Sequence, residues 1–450
     1  MAGTWPLRTK ASLVEQFVGK TLDDIRLPAA VLDIAKVKHN CKRMLDAVEE
    51  LGFDFLPAVS YHKTTEITRL QLGDDAEEVR VLVTSLWEAA KLLPLLLEYQ
   101  INGKQVNVLY GAPISPSQVE AAADISRQLG RRGGNIRFLV DCISQVDLVE
   151  RVGRLSGYPP FVYILVDVGD QFSGVRPGTP EFQELFSRIE QIALGQGLLS
   201  MAFVGFFSDI PFPSEQVDLI SHMRHLDRQM TTLLHASPVE IIRLSVHAPP
   251  GLWYLLQRME GPLSREVSKI EHTLAAANQA NDAIEVHSGE YVLLDVRSVI
   301  QDSLAVPGTN PCFTYSDIAL TILTEISSLY PRRGEKGHLE ALISLGGSAF
   351  HTGDGPLQKG VLSEWNMGSI EPKSSPPLGW TIDRCHGDSA VLVWRDENSQ
   401  PQSLECGQRV RIYPNDAKYA GKQFGWYYVV DSSRDGKEDE IVDIFVRWRG

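Results

Sequence analysis

From residue 29 onward the chain alternates two kinds of hydrophobic spacing. Short apolar runs of strand length are followed by stretches whose apolar residues recur every three or four positions, the period of a helix buried along one face. Ala29 to Ile34 reads as a strand, and Lys36 to Leu51 as a helix with Val37, Cys41, Met44, Leu45 and Val48 on one side. Asp54–Ser60, Val79–Ser85, Val106–Ala112, Asn135–Cys142, Phe161–Gly169, Met201–Phe207, Glu240–His247 and Ala283–Asp295 continue the strand series. Helical stretches lie between them, among them Leu86–Tyr99, Ser117–Leu129 and Leu263–Asn281. Thr179 followed by Pro180 marks a helix start, with a capping hydroxyl and a proline at the first turn, and Ser214 opens another. Counted from Asp54, about eight strand-then-helix units follow one another. That predicts an α/β fold, a (β/α)8 barrel of TIM type. A doubly wound open sheet is the alternative, but no GxGxxG turn follows the first strand to support it.

Beyond about residue 296 the pattern changes. Proline, glycine and serine become frequent, and short strands are expected at Ser389–Trp394, Arg409–Tyr413, Trp426–Asp431 and Ile441–Val446. The Ser/Pro stretch near residue 374 reads as an exposed loop. The expected plan is an N-terminal segment over 1–28 packing on the β domain, a barrel over 29–295 and a mostly β domain over 296–450. A chain of 450 residues that is 43% hydrophobic and 22% charged fits two soluble domains. Its net charge of −14, with no basic run longer than Arg131-Arg132 or Arg332-Arg333, argues against nucleic acid as a partner. No apolar run approaches membrane-spanning length, and Met1 to Pro6 has no secretory pattern, so no membrane partner is expected. Five scattered cysteines without CxxC spacing fit a reduced, cytoplasmic setting.

Several segments, in chain order, carry a family resemblance. Leu27-Pro28-Ala29-Ala30-Val31-Leu32-Asp33 is similar to "TPALVLD", and Phe55-Leu56-Pro57 with His62-Lys63-Thr64 to "LRPHVKTHKT". Val166-Asp167-Val168-Gly169 with Gly174-Val175-Arg176-Pro177-Gly178 resembles "VDVG…GVRPG", and Glu285 to Val292 with Asp295 resembles "EVRPGNYVFYD". Arg409–Asn415 and Tyr427–Asp431 resemble the end of a β domain. Together these resemble the D-serine dehydratase and D-threonine aldolase group, which has the fold of alanine racemase. The resemblance implies a pyridoxal phosphate (PLP) barrel before a β domain, lyase chemistry, zinc bound through the β domain, and a homodimer.

The departures fall on the chemistry. The family's Schiff-base lysine is the first lysine of "KTHK", and that position here is Ser60, which cannot condense with an aldehyde. The second lysine is retained as Lys63. The arginine of "GNGRAGV" becomes Phe172, and the phosphate turn "SxGSTP" becomes Ser245-Val246-His247-Ala248-Pro249-Pro250, where proline offers no N–H. The zinc motif "PNHxC" becomes Pro414-Asn415-Asp416-Ala417-Lys418, and a lysine ammonium has no lone pair for a metal. Neither PLP nor zinc is therefore expected; Lys63 is the one lysine through which PLP could attach.

If the barrel is right, His62, His247, His287, Asp167 and Asp209 lie near one mouth and are candidate acid–base groups, against the plainer reading of strand caps and packing. Lys63 is a candidate catalytic or cofactor-binding amine, or a simple surface charge. Ser60, Tyr61, Phe212, Trp253 and Tyr254 are candidate substrate-binding residues. Three functions follow. The first is an enzyme acting without PLP on a small, amino-acid-derived metabolite by His/Asp chemistry. The second is a PLP lyase using Lys63. The third is a non-catalytic relative that binds a ligand or partner.

Overall fold

The computed structural model describes residues 9–73, 77–169, 171–193, 200–208, 228, 231–232, 243–247, 272–273, 283–304, 312–345, 350, 360–363, 365, 379–395 and 400–448. The expected helix at Ser214, the expected helix Leu263–Asn281 apart from residues 272–273, and the Ser/Pro stretch near 374 lie outside these residues. The chain forms two compact units, one built from residues 1–41 with 292–449 and the other from 42–291. It opens with helix α1 (Lys10–Phe17), strand β1 (Ala29–Asp33) and helix α2 (Ile34–Glu50). Among the described residues no helix is long and apolar enough to cross a membrane.

The unit over 42–291 is the barrel. Its strands are β2 (Asp54–Pro57), β3 (Glu78–Val83), β4 (Gln105–Pro113), β5 (Asn135–Val140), β6 (Phe161–Leu165), β7 (Ala202–Ser208), β8 (Arg243–His247) and β9 (Ala283–Ser288). Between them run α3 (Thr65–Leu72), α4 (Leu86–Ile101), α5 (Val119–Gly130), α6 (Ile143–Ser156) and α7 (Pro180–Ala193). The order β2-β9-β8-β7-β6-β5-β4-β3 is parallel from edge to edge. The ring closes where the Val59 amide donates to the Leu82 carbonyl at 3.2 Å, beside a parallel bridge from Ala58 to Leu82. One face of each strand points inward, as two-residue alternation requires. Leu56, Ala58, Leu82, Leu109, Leu139, Tyr163, Leu165 and Phe207 pack into one inner layer. Each buried leucine or phenylalanine of this layer is worth roughly 1.5–3 kcal/mol. On the outside, Phe206 stacks with Phe182 and Phe186 of α7, and Phe203 meets Phe186 edge-on.

Toward the strands' N-terminal ends the inner layer is ionic. Arg80 pairs with Asp54 at 2.6 Å and with Glu78; Arg137 reaches Glu78 at 3.4 Å; Arg243 pairs with Asp54 and lies 3.5 Å from Glu285. Asn107 donates to Glu78, and the Tyr163 hydroxyl donates to Glu285 at 3.1 Å. Burial opposes the charge on Glu78, but the hydrogen bond and charge of Arg80, with Arg137 and Asn107, overcome it and hold its carboxyl down at about 2.

The other unit is a nine-stranded sheet. It adds helix α8 (Val296–Leu304), then β10 (Leu320–Tyr330), β11 (Glu340–Ile343), β12 (Gly360–Leu362), β13 (Trp380–His386), β14 (Ser389–Trp394), β15 (Arg409–Pro414), helix α9 (Ala417–Lys422), β16 (Trp426–Val430) and β17 (Asp443–Val446). The order is β11-β14-β13-β12-β15-β10-β1-β16-β17, with β10 also paired to β11. The expected boundaries at residues 29 and 296 need correcting. β1 belongs to this sheet, antiparallel to β10 (Ala29 opposite Leu323) and parallel to β16 (Val31 opposite Tyr428). All five β1 residues are buried, and a run apolar on both faces needs a neighbour on each edge; those neighbours lie far along the chain. Leu13, Phe17, Leu22 and Ile25 of the N-terminal segment share a core with Tyr428, Val430, Ile441 and Ile444.

Candidate active site

At the C-terminal ends of the barrel strands, three stretches of chain converge. Arg243, Ser245 and His247 alternate on the inner face of β8, and Glu285 and His287 do so on β9. The parallel register sets His247 opposite His287, with ring centroids 5.5 Å apart. The His287 ring stacks on Phe207 at 4.3 Å, and its Nδ1 lies 3.1 Å from the Ser245 hydroxyl. His247 Nε2 lies 3.4 Å from one carboxylate oxygen of Glu290, just past β9. The other oxygen accepts a 2.7 Å hydrogen bond from the Tyr61 hydroxyl. Gly289 makes room for this, because a Cβ there would meet the Ala58 carbonyl and the Tyr61 ring. Tyr61–Glu290 and His287–Ser245 are therefore two hydrogen-bonded pairs, joined by the 3.4 Å approach of His247 to Glu290 and by the contact of the two imidazole rings. An imidazole and a carboxylate at this separation are the side-chain types that general acid–base chemistry uses.

Residues 59–62 form a turn, not an extension of β2, so His62 does not join the cluster. The strand expected over Asp54–Ser60 ends at Pro57. His62 is fully buried, and its Nδ1 accepts from the Thr64 amide at 3.1 Å. That leaves the proton on Nε2, which donates to Gln71 at 2.8 Å; Gln71 in turn donates to the Tyr291 hydroxyl. The imidazole ties the turn to α3 and carries a structural load.

Ser60 is buried in the same turn. Lys63 takes a left-handed conformation (φ 55°) and places its ammonium 3.1 Å from Glu88. Glu88, almost fully buried on α4, also accepts from the Thr84 amide at 2.7 Å. The Lys63 amine is thus committed to an internal ion pair. Asp167 is buried beyond β6 and accepts from the amides of Gly169 (2.8 Å) and Gln171 (3.1 Å) and from Arg176 Nε (2.9 Å). It organises the loop over 167–176, where Phe172 is 75% exposed. Asp209, Phe212, Trp253 and Tyr254 lie outside the described residues.

In the β unit, Asp416 caps α9 by accepting from the Tyr419 amide at 2.7 Å. Its neighbour Asp295 accepts from Ser298 and from the Ala417 amide, and burial, reinforced by the Asp416 charge, lifts its pKa to about 6. Among the described residues no group of three or more His, Cys, Asp or Glu side chains could hold a metal ion.

Sequence reasoning missed Glu290, Ser245 and Glu88. A signal for Glu290 was available: the matched segment "EVRPGNYV" has asparagine where this chain has Glu290, and arginine where it has His287. Both changes add acid–base groups at one strand end. Glu88 had no signal beyond its place in a helix's first turn.

Known proteins resemble the chain from end to end. A family model described as "Putative serine dehydratase domain" matches residues 319–430. D-serine dehydratase of Schizosaccharomyces pombe is 27% identical, covering 98% of this chain and 96% of that protein. Among solved structures, D-threo-3-hydroxyaspartate dehydratase from Delftia sp. superposes with a TM-score of 0.66 at 20% identity, covering 96% of this chain and 99% of that one. D-threonine aldolase from Filomicrobium marinum superposes at 0.64 and 17% identity, covering 95% and 97%. The shared fold, the ordered motifs and the full-length match agree: the chain is similar over nearly its whole length to D-serine dehydratase and shares the fold of D-threonine aldolase.

Proposed function

We propose that this protein is a lyase-type enzyme that works at the barrel mouth through His247, Glu290 and Tyr61, assisted by His287 and Ser245, without a Schiff-base cofactor. The observation that carries the reading is the His247–Glu290–Tyr61 chain in a barrel whose lysine position is Ser60. The residues present do not fit PLP. Ser60 has no amine, the Lys63 ammonium is held by Glu88, and His247 stands at the glycine of the phosphate turn. Zinc fits no better at 414–418, where one carboxylate is engaged as a helix cap and the second ligand position is Lys418.

The kind of substrate follows from the chemistry. General acid–base groups contribute about 10²–10⁴-fold, too little to remove the α-proton of an ordinary amino acid that lacks an electron sink. A β-hydroxy ketone or keto acid carries its own sink, because its carbonyl accepts the developing charge. Dehydration or retro-aldol cleavage of such a small, amino-acid-derived metabolite needs one base and one acid. His247, balanced by Glu290, removes the proton, and the Tyr61 hydroxyl orients the carboxylate. His287, steadied by Ser245 and Phe207, protonates the leaving oxygen or carbonyl.

Purified protein is expected to show no aldimine absorbance and to acquire no borohydride-stable adduct at Lys63 when incubated with PLP. It is expected to turn over β-hydroxy keto acids, and His247→Ala is expected to abolish that turnover. An aldimine band that borohydride fixes to Lys63 would sink the reading.

A further inference from the structure

We infer that Arg176 is a built anion-binding residue at the barrel mouth, taking a carboxylate or phosphate group of the substrate. Tyr163 and Leu165 face the barrel interior, and Asp167 continues the same alternation past the end of β6. The segment carrying Arg176 runs alongside: Val175 bridges Val166 in parallel, its amide donates to the Leu165 carbonyl at 2.9 Å, and its carbonyl accepts from the Asp167 amide at 3.1 Å. Gly174 permits this close approach, since its φ is 93° and a Cβ would strike the Val166–Asp167 backbone.

The guanidinium is held by one edge. Arg176 Nε donates to the buried Asp167 carboxylate at 2.9 Å, and that carboxylate is itself fixed by two backbone amides. The Arg176 carbonyl is fixed as well, by the Thr179 hydroxyl at 2.9 Å, where Thr179 also accepts from the Phe182 amide at the start of α7. Among the described residues the two terminal nitrogens of Arg176 have no partner, and the side chain is 52% exposed. A guanidinium anchored through Nε presents its two terminal N–H groups as a preformed fork, the geometry that carboxylate and phosphate oxygens match. Anchoring also removes part of the ordering cost that a loose arginine meets on binding. A surface ion pair alone needs neither a buried acceptor nor a locked backbone.

This inference rests on the mouth of the barrel being the site, as proposed above, but its test is separate. Pyruvate and inorganic phosphate are titrated into the full-length protein by calorimetry, with Arg176→Gln and Arg176→Lys alongside and thermal midpoints recorded for each. Saturable binding of either anion, weakened at least tenfold in Arg176→Gln and partly kept in Arg176→Lys, is the expected result. The anion that binds more tightly identifies the source as carboxylate or phosphate. Equal binding by Arg176→Gln, or no binding of either anion to the wild-type protein, overturns the inference. Anion binding through Arg176 without lyase turnover would instead remove the proposed reaction and leave the anion site standing. Turnover with an unchanged KM in Arg176→Gln would do the reverse.

Discussion

The two ends of one barrel interior spend their polar residues differently. At the N-terminal end, Arg80, Arg137 and Arg243 stand among Asp54, Glu78 and Glu285, three cations against three anions, cross-linked by Asn107 and Tyr163. At the C-terminal end, two imidazoles, one carboxylate, a phenol and a hydroxyl make short chains with no fixed charge balance. The first arrangement suits a closed floor, since a buried charge is tolerated only when paired and hydrogen-bonded. The second is built of side-chain types that general acid–base chemistry uses. Strand position, not residue type, separates the paired ionic layer from the cluster of imidazoles at the mouth.

Breaking the floor gives the largest expected effect. Arg80→Met leaves Asp54 and Glu78 facing each other, and urea denaturation should show a loss of about 3–5 kcal/mol. A loss below about 1 kcal/mol would mean that the floor is not the barrel's structural layer. Next comes the mouth. Glu290→Gln keeps the shape and removes the charge beside His247, so turnover should fall about a hundredfold while stability stays within about 1 kcal/mol. A stability loss as large as that of Arg80→Met would erase the distinction between the two ends.

The smallest effect is the acid response of the floor. Glu78 has its folded pKa depressed to about 2 from 4.5, so its contribution is complete above pH 4.5 and is lost as pH falls toward 2. Because Glu78 is only half buried, solvent screening cuts the full linkage value to about 1–2 kcal/mol. The urea midpoint should drop over that window, and Glu78→Gln should flatten the drop.

Much of the architecture could be read from spacing alone. The barrel strands announce themselves because each carries two or more apolar positions, and Asp54, Arg80 and Glu285 did not disguise them. Polar residues at inward positions of a strand look like solvent-facing ones until the ring closes, so the floor was invisible. The mouth was read in part. His247 and His287 lie on regular strands, where alternation holds, and they meet. His62 lies in a turn, where alternation has no force, and its neighbour Tyr61 reaches Glu290 instead. β1 was placed in the wrong unit for a related reason: its local pattern specifies a buried strand but not which distant strand it pairs with.

That pairing has a consequence for how the chain is made. The Ser432 amide donates to the Asp33 carboxylate across 399 positions, and β1 is flanked by strands that begin at Leu320 and Trp426. During synthesis the segment over 42–291 is complete while β1 still lacks both neighbours, so an apolar strand waits with two open edges. A chain halted before residue 426 would leave β1 without its parallel neighbour, an unpaired strand edge of the kind through which chains associate.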